Sequence, residues 1–306
     1  MKKEKFFMKI WRILYPVGIY FLISNIISVV YVMISGMLMQ TKAIANGQAI
    51  NMVTFQEDIM TLLYKNSMML TAIAAATTIP IAYLIFRNDN KKENKKFEKC
   101  DSTLYGLIII VAGVACLAGN QLLTISRLDE IFPGYQEVQQ ALYGGNIIME
   151  VLAAVILAPI IEEILFRGIV FKRLNLHTGK IPAMILSSLF FGIYHGNVVQ
   201  GVYAFTIGML FVFIYDRYKT ILAPIAAHMF ANFISIISSE TSIFDFLYRT
   251  YLNFYISTAI EVIASLLLII IIYKKVFRSE IINEEAYLET NDKIIAAELS
   301  QDNRLD

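Results

Sequence analysis

The sequence predicts an all-α, polytopic integral membrane protein with about eight transmembrane helices around an intramembrane polar cavity. Of its 306 residues 57% are hydrophobic and 17% charged, against about 45–50% apolar and about 25% charged in soluble domains, and the excess is gathered into long blocks. Basic residues recur between those blocks. Two adjacent carboxylates, an arginine and two histidines fall inside them. The first observation gives the class, the second the number of crossings, and the third the cavity.

Met1 to Arg12 is basic, and an apolar run follows from Ile13 to Met39. A cleavable signal has an apolar region of about 7–15 residues, so this longer run reads as a retained first span. Gln40 to Ser67 is polar, and Met68 to Phe86 is the second span. The loop 87–102, with Arg87, Lys91, Lys92, Lys95, Lys96 and Lys99, reads as cytoplasmic by the positive-inside rule. Thr103 to Thr124 is the third span, Ile125 to Gly145 a polar connection, and Ile147 to Val170 the fourth span. Lys172, Arg173 and Lys180 mark the next return. Ala183 to Val199 and Val202 to Tyr215 are spans five and six, with Gly196 to Gly201 to turn between them; both are short against the roughly 20 residues of a crossing. Ile221 to Ser239 and Tyr251 to Tyr273 complete the set, and Lys274, Lys275 and Arg278 follow. Eight crossings put both termini in the cytoplasm and every basic cluster on one side, as expected of a multi-pass plasma-membrane protein.

The organising stretch is Pro159 to Gly168, Pro-Ile-Ile-Glu-Glu-Ile-Leu-Phe-Arg-Gly. A charged side chain at the centre of a membrane helix costs about 2.5–3.5 kcal/mol on insertion scales, so Glu162, Glu163 and Arg167 need partners or a water-filled cavity. Glu163 and Arg167 are i and i+4 and share a helix face, whereas Glu162 is turned about 100° from its neighbour. Glu163 and Arg167 are therefore expected to neutralise each other, leaving Glu162 to point elsewhere. His195 follows Phe191 by one turn, and His228 precedes Asn232 by one turn. Counting about 1.5 Å per residue from the basic markers puts Glu162 about 15 Å, His228 about 13 Å and His195 about 22 Å deep. The three are expected to converge in one cavity facing the cytoplasm. Pro159 and Pro224 each leave a backbone carbonyl without its usual donor, which a membrane tolerates at a cavity wall.

Such groups allow two chemistries. A carboxylate and an imidazole can deprotonate water for attack on an amide carbonyl, with a second imidazole and an amide donating to the oxyanion. Alternatively Glu162, His195 and His228 can hold a divalent metal such as zinc, whose bound water is the nucleophile. The residue types leave both open. Cys100 and Cys116 offer neither metal-ligand spacing nor a disulfide framework. The basic residues lie between apolar blocks and not along one stripe, so nucleic acid is not an expected partner. Glu261, inside the last span without a basic neighbour on its face, is expected to be hydrogen-bonded between helices, the alternative being a place in the cavity.

Glu162-Glu163-x-x-x-Arg167, Phe191-x-x-x-His195 and His228-x-x-x-Asn232, in that order on successive spans, resemble the three motifs of the CPBP family. These are the CAAX proteases and bacteriocin-processing enzymes. The resemblance covers about Asn146 to Ser239, and it implies Glu162 as catalytic base, His195 sharing the activation of water, and His228 and Asn232 forming the oxyanion site. Glu163 and Arg167 would place Glu162. The chain then divides into an N-terminal membrane region 1–142 of about three spans, a CPBP-like core 143–240, a last helix 241–279 and an acidic cytoplasmic tail 280–306. The expected function is an intramembrane endopeptidase acting on a membrane-associated peptide or lipid-anchored protein near the cytoplasmic face. The alternative is a non-enzymatic bacteriocin-immunity or scaffold protein of the same fold.

Overall fold

The computed structural model describes residues 6–47, 49, 51–92, 102–132, 134–143 and 146–275. The acidic tail, Lys2, Lys3, Lys5 and residues 93–101 of the basic loop lie outside that set. Within it the chain is helical, with no strand. In order come α1 (Phe6–Ala45), α2 (Met52–Lys65), α3 (Ser67–Lys92), α4 (Ser102–Ser126), α5 (Leu128–Ile131) and α6 (Gly134–Leu142). A continuous helical rod over 147–178 is α7. Then follow α8 (Lys180–Tyr194), α9 (Val198–Tyr218), α10 (Leu222–Glu240), α11 (Asp245–Tyr248) and α12 (Tyr251–Lys275). Six of these helices, α1, α3, α4, α9, α10 and α12, are long and apolar enough to cross a membrane. The rod α7 and the short apolar α8 bring the crossings to the number read from the sequence.

Local chemistry sets the boundaries. Asn146 opens α7 by accepting from the Ile148 amide at 2.9 Å, and Asn197 opens α9 by accepting from Val199 at 2.9 Å, each serving an amide that the first helical turn leaves without a partner. Gly179 at φ +83° and Gly196 at φ +70° make the sharp turns on either side of α8. The polar stretch 40–67, to which the sequence assigned no element, is mostly helix, since α1 runs on to Ala45 and α2 occupies Met52–Lys65. One expectation is corrected here. The turn between the fifth and sixth spans is confined to 195–197, because Asn197 already caps α9, so α9 has 21 residues and only α8, with 15, is short.

The bundle has two chemically distinct ends. At one, Arg173 on α7 pairs with Asp89 on α3 at 2.8 Å and also donates to the Arg12 carbonyl of α1, while Asp216 on α9 bridges Lys180 and Lys219, each at 3.1 Å. At the other, Tyr64 donates to Glu137 at 2.9 Å and Ser67 to the Ala141 carbonyl at 2.6 Å, tying α2 and α3 to α6. Between the ends α8 and α9 touch through glycine. A Cβ on Gly192 would lie 2.6 Å from the Gly201 carbonyl oxygen, a distance that only glycine allows. That contact fixes the recessed turn carrying His195.

Candidate active site

The middle of α7 holds the acidic pair, and the rod is locally unwound on both sides of it. Val151–Leu157 and Ile164–Phe171 are π-helical and bracket the α-helical Ala158–Glu163; π turns occur often at functional sites. In that register the carbonyl of Ala154 would be served by the amide five residues on. That residue is Pro159, which has no N–H. Asn232 of α10 replaces it, its Nδ2 donating to the Ala154 oxygen at 2.7 Å. The carbonyl freed by proline thus takes its hydrogen bond from the neighbouring helix, and the bond anchors α10 against α7.

Glu163 and Arg167 form the buried ion pair expected from their spacing, with Nη1 to Oε1 at 2.9 Å and both side chains fully inaccessible. Arg167 Nη2 also donates to the Gly208 carbonyl of α9 at 3.0 Å, and its guanidinium carbon lies 4.4 Å from the Phe191 ring centroid and 5.5 Å from that of Phe211. Gly208 permits this approach, since a Cβ there would stand 3.0 Å from Nη2. Aromatic faces on a desolvated cation add attraction. The sequence did not disclose a third partner: His228 Nδ1 lies 2.9 Å from the same Glu163 oxygen. A carboxylate bound to arginine accepts, so Nδ1 carries the proton and Nε2 points away. Phe211 stacks on the imidazole at 4.6 Å and holds its plane.

Glu162, as expected, points elsewhere. Its Oε2 is 3.7 Å from His228 Nε2, beyond a direct hydrogen bond but close enough for both atoms to reach one water at about 2.8 Å. Glu162, His195, His228 and Asn232 all line a cavity of about 210 Å³. Glu163 and Arg167 sit behind that wall. His195 caps the end of α8 with Nδ1 2.8 Å from the Phe191 carbonyl. A carbonyl only accepts, so this ring is also protonated at Nδ1 and its Nε2 is an acceptor. The buried quartet of Glu162, Glu163, Arg167 and His228 has two carboxylates and one fixed cation. Neutrality in a low-dielectric interior needs one further proton, and the atoms placed to exchange it are Glu162 Oε2 and His228 Nε2.

Among the described residues no three His, Cys, Asp or Glu side chains are grouped closely enough to hold a metal ion, and the chemistry of Glu162, His195 and His228 is derived from the side chains themselves. The cavity was expected to face the basic end. Instead its walls continue through Asn120, Tyr135, Tyr143 and Ser235 toward the opposite end. The reason is that α7 below Glu163 is packed without exposure at Phe166, Arg167, Ile169 and Val170. Glu261 behaves as expected: it accepts from Gln121 of α4 at 3.5 Å and lies outside the cavity.

Glu162, His195, His228 and Asn232, carried by three different helices, thus meet on the wall of one cavity, with Glu163 and Arg167 behind it. Residues 144–234 match the family model described as Type II CAAX prenyl endopeptidase Rce1-like, so the resemblance read from the three motifs holds over the helices that build the site. A relative in Bacillus subtilis (strain 168), named "Putative membrane peptidase YdiL", is 38% identical over 82 residues, which is 27% of this chain and 34% of that protein. The match thus spans about a third of the relative's length. No solved structure matches the chain.

Proposed function

We propose that this chain is an intramembrane endopeptidase that hydrolyses a peptide bond of a membrane-associated peptide or protein with water activated by its own side chains. One observation carries the reading: Glu162 Oε2 and His228 Nε2 stand 3.7 Å apart on the wall of a cavity while Glu163 holds the imidazole from behind. Water between them gives its proton to Glu162 as its oxygen bonds the amide carbon. The proton then passes to the departing amine as the carbon–nitrogen bond breaks. His195 Nε2, an acceptor, orients the water. The second N–H of Asn232 Nδ2 and His228 Nε2, which holds the quartet's one further proton while Glu162 is ionised as the base, are the donors for the oxyanion, and His228 keeps that proton through the cycle. Glu163 stabilises that imidazolium, much as a buried carboxylate steadies the histidine of a hydrolytic triad. The names of the matched family and relative agree with the reaction class.

The test is cleavage of a library of membrane-anchored peptides by the purified protein and by Glu162→Gln, with and without a chelator. Loss of a positioned base typically lowers kcat by about 10²–10⁴, and Glu162→Gln should fall in that range with unchanged thermal unfolding. Chelator should leave wild-type cleavage intact; inhibition that zinc restores would put a metal in place of the side-chain scheme. Equal cleavage by both proteins would remove Glu162 from the mechanism, and no cleavage by either would favour the immunity or scaffold role.

A further inference from the structure

The site has one closed end and one open end. Toward the basic end the rod α7 is sealed at Phe166, Ile169 and Val170, which have no exposure. In the other direction Asn120, Tyr143 and Ser235 line both the 210 Å³ cavity and a second space of about 600 Å³. That vestibule is bounded by Asp129, Ser239 and Asp245, which lie in α5, near the end of α10 and at the start of α11, remote from Lys172, Arg173, Lys180 and Lys219. The length of α8 explains how the site is reached. Its 15 residues rise about 22 Å, some 8 Å short of a hydrocarbon core about 30 Å thick. The turn with His195 is therefore recessed on the vestibule side, and the vestibule fills the gap.

Charge fixes which side this is. The closed end carries Lys9, Arg12, Arg87, Lys172, Lys219 and Lys275, among others, whereas the open end carries Lys42, Lys65, Arg127 and Arg249. Basic residues near span ends collect on the cytoplasmic side. We infer that the site is loaded from the extracytoplasmic face, and that its substrate is a polypeptide segment exposed there beside a membrane anchor. This inference rests on the reading of Glu162 and the histidines as a hydrolytic site, and it sets aside the expectation of a cytoplasmic, lipid-anchored tail.

Two measurements separate the inference from that reading. The first needs no activity: Ser239→Cys in the vestibule and Lys180→Cys at the basic end, each with Cys100 replaced by Ser in the full chain, are exposed in intact cells to a membrane-impermeant maleimide. Ser239→Cys should label as fully in intact as in permeabilised cells, and Lys180→Cys only after permeabilisation. The reverse pattern overturns the inference. The second uses two reporters with one cleavable sequence beside a single transmembrane anchor, displayed outside in one and inside in the other. Wild type should cut the outward reporter, and Glu162→Gln should cut neither. Cleavage of the inward reporter alone overturns the inference; cleavage of neither, with the expected labelling, overturns the peptidase reading and leaves the outward-facing cavity standing.

Discussion

At Glu163 a guanidinium and an imidazole share one carboxylate oxygen, each at 2.9 Å, whereas Glu261 accepts from the amide of Gln121 at 3.5 Å and, among the described residues, forms no ion pair. Both carboxyls lie inside apolar spans. The first is packed without exposure on α7 at the back of a cavity, and the second ties α12 to α4 together with Thr258, which donates to Gln121. The first cluster spends charge, and the second uses neutral hydrogen bonds. A hydrogen-bonded amide could join two helices as well as Glu261 does, so Glu261 has a structural use. Nothing about helix packing requires two carboxylates, an arginine and a histidine in one place. Unpartnered atoms do not separate the two, since Glu163 Oε2, Arg167 Nε and Glu261 Oε2 alike have no hydrogen-bond partner in the described set; the shared anion does.

The sharpest break in this comparison is Arg167→Met. Removing one partner of a buried pair costs about 3–5 kcal/mol because the other charge is left uncompensated, so thermal unfolding in detergent should show a loss of that size and cleavage should disappear. The double variant Glu163→Gln/Arg167→Met should recover much of the stability, since neutral replacements of buried pairs are often tolerated. It should not recover cleavage, because His228 would lose the anion that orients it. If the double variant cuts at the wild-type rate, the cluster is structural after all and the contrast with Glu261 collapses.

Asn232→Leu comes next. It removes the donor to the Ala154 carbonyl, leaving a buried acceptor unpaired at a cost of about 1–3 kcal/mol. In the proposed mechanism it also removes an oxyanion donor, a type of loss worth about 10²–10³ in kcat elsewhere. Asn232→Asp should not rescue cleavage, because a carboxylate cannot donate to either oxygen. Steady-state cleavage measured beside unfolding separates the two contributions: a kcat that falls only in proportion to folded protein would make Asn232 a helix tie and nothing more.

Much of the site was legible because the membrane makes polar residues conspicuous. Glu162, Glu163, Arg167, His195, His228 and Asn232 stood out as the charged and hydrogen-bonding groups of apolar spans, and helical spacing alone separated the two glutamates. The contact between Glu163 and His228 was not legible, since it joins α7 to α10 and depends on how those helices turn toward each other. Nor was the use of Asn232 on Ala154: it follows from a π register that shifts the partner of Pro159 by one residue, and no local signal marks that shift. The cavity mouth was misread for a related reason. Counting residues from the basic ends gave the depth of each group but not which side the packing leaves open. That side is set by Phe166, Ile169 and Val170 filling one end, while α8 stops short of the other.

The smallest effect expected is that of Glu261→Gln, and it is the control on which the comparison depends. The amide keeps an acceptor oxygen for Gln121 Nε2 and puts its NH₂ in place of Oε2, which has no partner among the described residues. Replacing a carboxyl by an isosteric amide in a neutral hydrogen-bonded setting should shift stability by less than about 1 kcal/mol, the size of one net hydrogen bond. Cleavage should stay at the wild-type rate, because Glu261 lies outside the cavity. Glu163→Gln makes the same chemical change beside Arg167 and should be far more damaging, since it strips a buried guanidinium of the anion paired with it at 2.9 Å. Equal losses from the two substitutions would mean that both carboxyls serve packing alone; unequal losses tie the cost to the charge that Glu163 shares between Arg167 and His228.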